Sequence, residues 1–372
     1  MPAEPIVLGV IGVCVAAVGA ALSRLAVRRR LVLDHPNGRS NHRDATPRSG
    51  GLAIAGAWTI GMVLAALAVP SFALVALKLA AIAALVFTMG LADDLYDLSP
   101  VWKFAGQLAA AALFIVLFGA LETGPVPFAG AVPLGAAGVF LTVLWIVGFM
   151  NAFNFMDGVN GMAAGCGLLT AAGLAGAAAF SGAPETALAA GLLGAALLGF
   201  LPSNFPRGRL FMGDCGSQTV GFLIAALAVV AAQESAGAAS ALFVPTAMAA
   251  FLFDVAFTLI HRARRRRNVL AAHCEHLYQL MARLGASHVQ TTAVYASLTA
   301  ASLAAAFVMT RLDPGAQWLV PAGLALVFCG LGWPLFARAR RAGLLARAET
   351  PAPSAGAGED AAASRQIPQA AE

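Results

Sequence analysis

Apolar runs of about twenty residues recur from one end of this chain to the other, and they limit its fold more than any motif does. As helices, such runs cross the ~30 Å hydrocarbon core of a bilayer, where only helices and closed barrels satisfy every backbone polar group. Eleven spans are drawn, at 5–27, 51–70, 73–92, 102–120, 132–150, 160–180, 185–202, 216–234, 239–260, 289–310 and 317–337. Hydrophobic residues make up 60% of the 372 and charged residues 11%. Soluble domains carry about 25% charge, so no sizeable soluble domain fits beside the spans. The expectation is an all-α, polytopic integral membrane protein with about eleven transmembrane helices, residues 1–345 forming one membrane-embedded domain. Residues 346–372 are mostly Ala, Pro, Gly and scattered polar groups, which predicts a disordered tail.

Charge orients the spans. Nearly all of the 23 basic residues fall in alternate loops, among them Arg28–Arg30, Arg39, Arg43, Arg48, Lys103, Arg207, Arg209, the 262–267 cluster, Arg283 and Arg338–Arg341. Lys78 and Arg311 fall toward the other side. The positive-inside rule then places the N-terminus outside and the C-terminus in the cytoplasm. The isoelectric point near 9.3 follows from this asymmetry and implies no nucleic-acid partner. The arginines of the first span follow its apolar stretch, as in a retained anchor and unlike a cleaved signal peptide. Five cysteines without metal-type spacing predict neither disulfides nor a zinc site.

With that topology the acids sort by side. Glu4, Glu122, Glu185, Glu234 and Asp313 fall singly at external ends and read as solvated loop charges. Asp34, Asp44, Asp93, Asp94, Asp97, Asp157, Asp214 and Asp254 all fall at or near the cytoplasmic ends, which suggests one acidic site assembled from several helices. In GLADDLYDLSP, the adjacent Asp93 and Asp94 repel unless a divalent cation or basic groups lie beside them. Lys103 and Gln107 return on the next helix to face the same place, while Asp97 reads either as a support behind the pair or as a cap before Pro100. In NAFNFMDGVNG, Asn151, Asn154, Asp157 and Asn160 recur every third residue, lining oxygens along one helical face. Such hard oxygens suit Mg2+ shared with substrate phosphates, although Asp-Gly and Asn-Gly are also ordinary turn dipeptides. Asn204, Arg207 and Arg209 lead into MGDCGS, where Asp214 opens the eighth span either as an N-cap or as a metal and phosphate contact. The last segment joins the arginines at 262–267 to His273 and His276, spaced three apart as on one helix face. Without a third ligand that pair favours phosphate binding or proton sharing over metal.

Taken in order, GLADDLYDLSP, NAFNFMDGVNG, LFMGDCGS and the basic loop ending HCEHLYQ resemble the polyprenyl-phosphate N-acetylhexosamine-1-phosphate transferases, glycosyltransferase family 4. These membrane enzymes start O-antigen, enterobacterial common antigen and teichoic acid synthesis, or make lipid I of peptidoglycan. The resemblance runs from the first cytoplasmic loop to about residue 290. It implies a multi-pass protein of the bacterial inner membrane whose lipid substrate, undecaprenyl phosphate, attacks the β-phosphate of a UDP-N-acetylhexosamine and releases UMP. It also implies Mg2+, with Mn2+ as the substitute. Carried over by position, Asp93 and Asp94 match the aspartate pair tied to the lipid phosphate, and Asp214 matches the magnesium ligand, with Asn154 as second contact. Asp157 and Asn160 match the uridine and sugar-phosphate positions, and Lys103 the lysine after the pair. His273 and His276 match the loop facing sugar and diphosphate, with Asn204, Arg264 and Arg48 as further substrate contacts.

Asn160 stands where several members carry Asp. HCEHLYQ is closest in pattern to O-antigen initiating members that accept UDP-N-acetylfucosamine or UDP-N-acetylquinovosamine rather than UDP-N-acetylglucosamine. Whether the chain acts alone or as a homodimer is open at this level. A membrane prenyltransferase of aromatic acceptors, using Mg2+ and a prenyl diphosphate, would account for DDLYD but not for the other motifs. A transporter would carry its ionisable groups near the midplane.

Overall fold

The computed structural model describes residues 3–34, 45–235, 240–269 and 273–345. Arg39, Arg43, Asp44 and the tail at 346–372 lie outside the described residues. The chain forms α1 (Ala3–Arg29), α2 (Gly50–Ala68), α3 (Ala73–Tyr96), α4 (Pro100–Phe118), α5 (Ala136–Phe155), α6 (Met162–Phe180), α7 (Pro184–Asn204) and α8 (Gly213–Glu234). It continues with α9 (Phe243–Ala247), α10 (Ala249–Arg264), α11 (Leu277–Arg283), α12 (His288–Met309) and α13 (Leu319–Arg341). Two small antiparallel ribbons interrupt the helices: β1 (Leu33–Asp34) with β2 (Thr46–Pro47), and β3 (Thr123–Val126) with β4 (Gly130–Pro133).

Ten of these helices are long and apolar enough to cross a membrane, in keeping with an all-α polytopic protein. The ninth expected span, 239–260, is not one helix. It breaks at Met248 into α9 and α10, and the latter runs only 16 residues. Thr246, Ala247 and Ala249 around the break are small or apolar, so hydropathy does not register it.

Helix α8 is the axis of the bundle: its most apolar window is entirely buried, and α2, α3, α5 and α7 pack around it. Gly90 lets α3 approach closely, since a Cβ there would lie 2.6 Å from the Cys215 Cα at the start of α8. One turn further along α3, Asp94 therefore reaches the amides that open α8.

Acidic side chains close helix starts in three places. The first N–H groups of a helix lack intrahelical partners, and a carboxylate there is also favoured by the helix dipole. Asp94 accepts the amides of Asp214 and Cys215 at 3.0 and 2.9 Å. Asp254 accepts those of Leu277 and Tyr278 at 2.8 and 3.1 Å. At the opposite end of the bundle, Glu234 accepts the amides of Glu185 and Thr186 and the Thr186 hydroxyl, at 2.8, 3.0 and 2.8 Å. Glu234 is therefore no solvated loop charge, because it holds the start of α7. Lys78 does the converse, donating to the Leu117 carbonyl at the end of α4 at 2.8 Å. Asp97 ends α3 in a left-handed conformation, φ +50°, and is exposed, as a cap should be.

Candidate active site

The ends of α3, α4, α5, α7 and α8 converge at the α8 start. Gly213 takes φ +75°, and a Cβ there would lie 2.2 Å from the Arg48 carbonyl, so the turn into α8 requires glycine. That turn presents Asp214 outward while its amide, with that of Cys215, points back to Asp94. The Asp94 side chain is 1% exposed. Arg48 donates to the Asp94 carbonyl, and its Nε lies 3.5 Å from Asp94 Oδ1. The two aspartates of the DDLYD motif are thus not alike. Asp94 is consumed in holding α8 and Arg48.

Asp93, one residue earlier and about 100° around the helix, meets Lys103 with Oδ2 2.6 Å from Nζ, while its Oδ1 accepts the Leu98 amide at 2.9 Å. The same Lys103 Nζ lies 3.7 Å from Asp214 Oδ2. Asn154, in the last turn of α5, donates to Asp214 Oδ1 at 3.0 Å and to Ser217 Oγ at 2.8 Å. Asp93, Lys103, Asp214, Asn154 and Ser217 form one connected row. Gln107 does not join it. With Asn151 and Gln218 it makes a separate buried amide cluster, through bonds of 2.7 to 3.2 Å.

Helix α5 ends at Phe155, so Asp157 and Asn160 lie in the following turn rather than on one helical face with Asn151 and Asn154. This turn forms a wall of a cavity of about 280 Å3, which Arg48, Asp94, Asn154, Asp157, Asn160, Asn204 and Asp214 also line. Burial, then the nearby charges of Asp214 and Asp94, push the Asp157 carboxyl up to about 7. Asn204 has both ends of its amide engaged by backbone, accepting from Gly161 N at 2.6 Å and donating to Leu210 O at 2.9 Å. It borders the cavity and braces two loops. Asn160 donates to Pro206 O at 3.2 Å, and its own carbonyl accepts from Thr292 Oγ1 at 2.7 Å.

The basic loop departs most from the sequence reading. His273 and His276 do not share a helix face: residues 273–276 precede α11, and His276 is its N-cap. Their ring centroids lie 4.9 Å apart with the planes tilted by 35°, yet neither lines the cavity. Burial, then His276 and Arg262, push His273 down to about 4, so it is neutral at physiological pH and offers no charge to a phosphate. Arg262 and Arg267 clamp the buried Glu275 at 2.9 and 2.6 Å. Arg264 is exposed and absent from the cavity wall. Gln279 and His288 take their place on the wall, and sequence reasoning passed over both. Gln279 ends the quoted HCEHLYQ segment, which was the available signal; His288 opens an ordinary apolar helix and gives none.

Among the described residues no group of three or more His, Cys, Asp or Glu side chains encloses a metal position. Mg2+ needs no such cage, because it binds through one or two carboxylates with waters and substrate phosphates. The chemistry of the wall fits it. Asp34, Asp94, Asp157 and Asp214 line the cavity with Arg48, and the Asp93–Lys103 pair lies beside Asp214, leaving more negative than positive groups, while Asp214 with Asn154 presents the hard oxygens.

Residues 76–232, which carry Asp93, Asp94, Lys103, Asn154, Asp157 and Asp214, match the profile of glycosyl transferase family 4. The chain is 30% identical over 294 residues to the decaprenyl-phosphate N-acetylglucosaminephosphotransferase of Mycobacterium tuberculosis, covering 71% of this chain and 72% of that one. It is 31% identical over 269 residues to the probable undecaprenyl-phosphate N-acetylglucosaminyl 1-phosphate transferase of Bacillus subtilis, covering 72% and 74%. A shorter match, 31% over 139 residues, joins it to the phospho-N-acetylmuramoyl-pentapeptide-transferase of Staphylococcus saprophyticus, covering 36% and 43%. Identity of 30% or more sustained over more than two thirds of both chains settles the assignment: the protein belongs to glycosyl transferase family 4, the polyprenyl-phosphate N-acetylhexosamine-1-phosphate transferases.

Proposed function

We propose that the protein transfers N-acetylhexosamine 1-phosphate from a UDP-sugar to undecaprenyl phosphate at the cytoplasmic face of a bacterial inner membrane, starting a lipid-linked envelope glycan such as O-antigen. An oxygen of the lipid phosphate attacks the β-phosphorus of the UDP-sugar, the bond to the α-phosphate oxygen breaks, and UMP leaves. One observation carries the reading: Asp157 and Asp214 share the wall of an acidic cavity, with Lys103 in reach of Asp214.

Asp214, with Asn154, would hold Mg2+ (or Mn2+), which supplies charge neutralisation to the diphosphate. Asp157, with a carboxyl near 7, is matched to a phosphate monoester, whose second ionisation lies at about 6, and takes up its proton. Lys103 offsets phosphate charge while Asp93 fixes its position. Asp94 acts through α8, whose start it anchors. Arg48, Asn160, Gln279 and His288 are placed to contact the nucleotide sugar. UDP-N-acetylglucosamine is the first substrate to try, because the Mycobacterium tuberculosis and Bacillus subtilis relatives are named for that sugar. UDP-N-acetylfucosamine and UDP-N-acetylquinovosamine follow from the loop pattern. The chain's family leaves the prenyltransferase and transporter readings without support.

The test is UMP release by purified membranes supplied with undecaprenyl phosphate, Mg2+ and a panel of UDP-sugars. Absence of UMP with every sugar, from intact protein, overturns the proposal.

A further inference from the structure

Asp254 is a buried carboxylate that the reaction does not use. It sits near the middle of α10, is 1% exposed, and takes two backbone amides and two hydroxyls as donors, with the His276 ring beside it. Oδ1 accepts the Leu277 amide at 2.8 Å and lies 3.3 Å from both Thr258 Oγ1 and His276 Nδ1. Oδ2 accepts the Tyr295 hydroxyl at 2.6 Å and the Tyr278 amide at 3.1 Å. A carboxylate so fully engaged, away from water, is a fixed point. It ties three elements, α10, α11 and α12, at one place.

The element it holds reaches the cavity. Tyr278, whose amide Asp254 accepts, is fully buried, and its hydroxyl donates to the Phe155 carbonyl at 2.9 Å. Phe155 is the last residue of α5, two before Asp157. The Tyr278 ring also lies against the turn itself, since a Cβ added to Gly158 would come within 2.2 Å of the Tyr278 oxygen. The next residue of α11, Gln279, lines the cavity. Burial and the charge of Asp254 push the Tyr278 phenol well above its usual range, which keeps it a donor.

We propose that Asp254 is a positioning residue for the Asp157 turn, acting through the start of α11 and the Tyr278 hydroxyl. The inference rests on the role given to Asp157 under the proposed function, but its structural half does not depend on that role. Loss of the link frees the 156–161 turn from one side while leaving the α8 start, held by Asp94, as it was.

Tyr278→Phe removes the hydroxyl and keeps the ring, and Asp254→Asn keeps the shape and loses an acceptor. Hydrogen–deuterium exchange on the full-length protein in detergent is expected to speed up at least tenfold at 156–161 in both variants, with 213–217 unchanged within twofold. In the UMP assay both are expected to lose at least tenfold in kcat with KM for the UDP-sugar within threefold. Wild-type exchange at 156–161 in Tyr278→Phe overturns the proposal, and so does equal loosening at 213–217 in both variants. Exchange as expected with kcat unchanged overturns the link to catalysis. If wild-type protein releases no UMP from any sugar, the proposed function fails and the exchange result alone decides the positioning.

Discussion

Asp214 and Asp254 are both aspartates of the same bundle, and the groups around them differ in kind. Asp254 accepts from two amides and two hydroxyls, with a histidine ring 3.3 Å away. Nearby Glu275 has an arginine on each oxygen. Around Asp214, by contrast, four further carboxylates, Asp34, Asp93, Asp94 and Asp157, face two cations, Lys103 and Arg48, and the Asp157 carboxyl is pushed up to about 7. A balanced acid in a membrane protein serves the fold, and an unbalanced group of acids waits for a cation or a substrate. Burial separates the two named acids, 36% and 1% exposed, but not the two groups, for Asp93 and Asp94 are as hidden as Glu275.

The comparison breaks most visibly at Asp214. We predict that Asp214→Asn lowers turnover at least ~1,000-fold, since metal and phosphate contacts act mainly on the transition state. UMP release at saturating Mg2+ checks this, and activity within tenfold of wild type would remove Asp214 from the metal site. On the balanced side, Glu275→Gln should leave two buried arginines short of a partner, at a cost of about 3–5 kcal/mol. That appears as a lower melting temperature, while the specific activity of the folded fraction stays within a few-fold. A melting temperature equal to wild type would mean that the clamp is not a support.

A smaller effect is expected at Asp157, and its sign follows from linkage. A carboxyl raised from 3.8 to about 7 binds more protons folded than unfolded, so stability falls as pH rises between those values. Asp157→Asn cannot titrate there. In metal-free buffer its melting temperature should drop less than that of wild type between about pH 5 and 8, and parallel curves would refute the assignment. The smallest effect is expected at His273, which is neutral and off the cavity wall. His273→Ala should keep kcat and KM within about threefold; a large rise in KM would restore the histidine to the sugar site.

The helices were legible because lipid leaves no other way to spend long apolar runs. The acidic site was legible as a place, since Asp93, Asp94, Asp157 and Asp214 do meet. Their division of labour was not. Asp93 and Asp94 are neighbours in sequence, yet a turn of about 100° sends one to Lys103 and the other to the α8 amides. The period of three through Asn151, Asn154, Asp157 and Asn160 misled because α5 stops at Phe155, and the Asp-Gly that marks the stop was weighed as the weaker reading. His273 and His276 failed likewise, since their spacing means one face only if a helix is present. The break at Met248 and the brace formed by Asn204 depend on tertiary partners that no local pattern encodes.

The amide cluster of Gln107, Asn151 and Gln218 sets a boundary beneath the acidic row. Each of the three lies about one helical turn deeper than a member of the acidic row: Gln107 below Lys103, Asn151 below Asn154, Gln218 below Asp214. Carboxamides pass hydrogen bonds along but neither take up nor release protons in the physiological range. Protons that titrate on the carboxylates therefore meet no titratable side chain in this amide layer, which separates the acidic row from the apolar middle of the bundle.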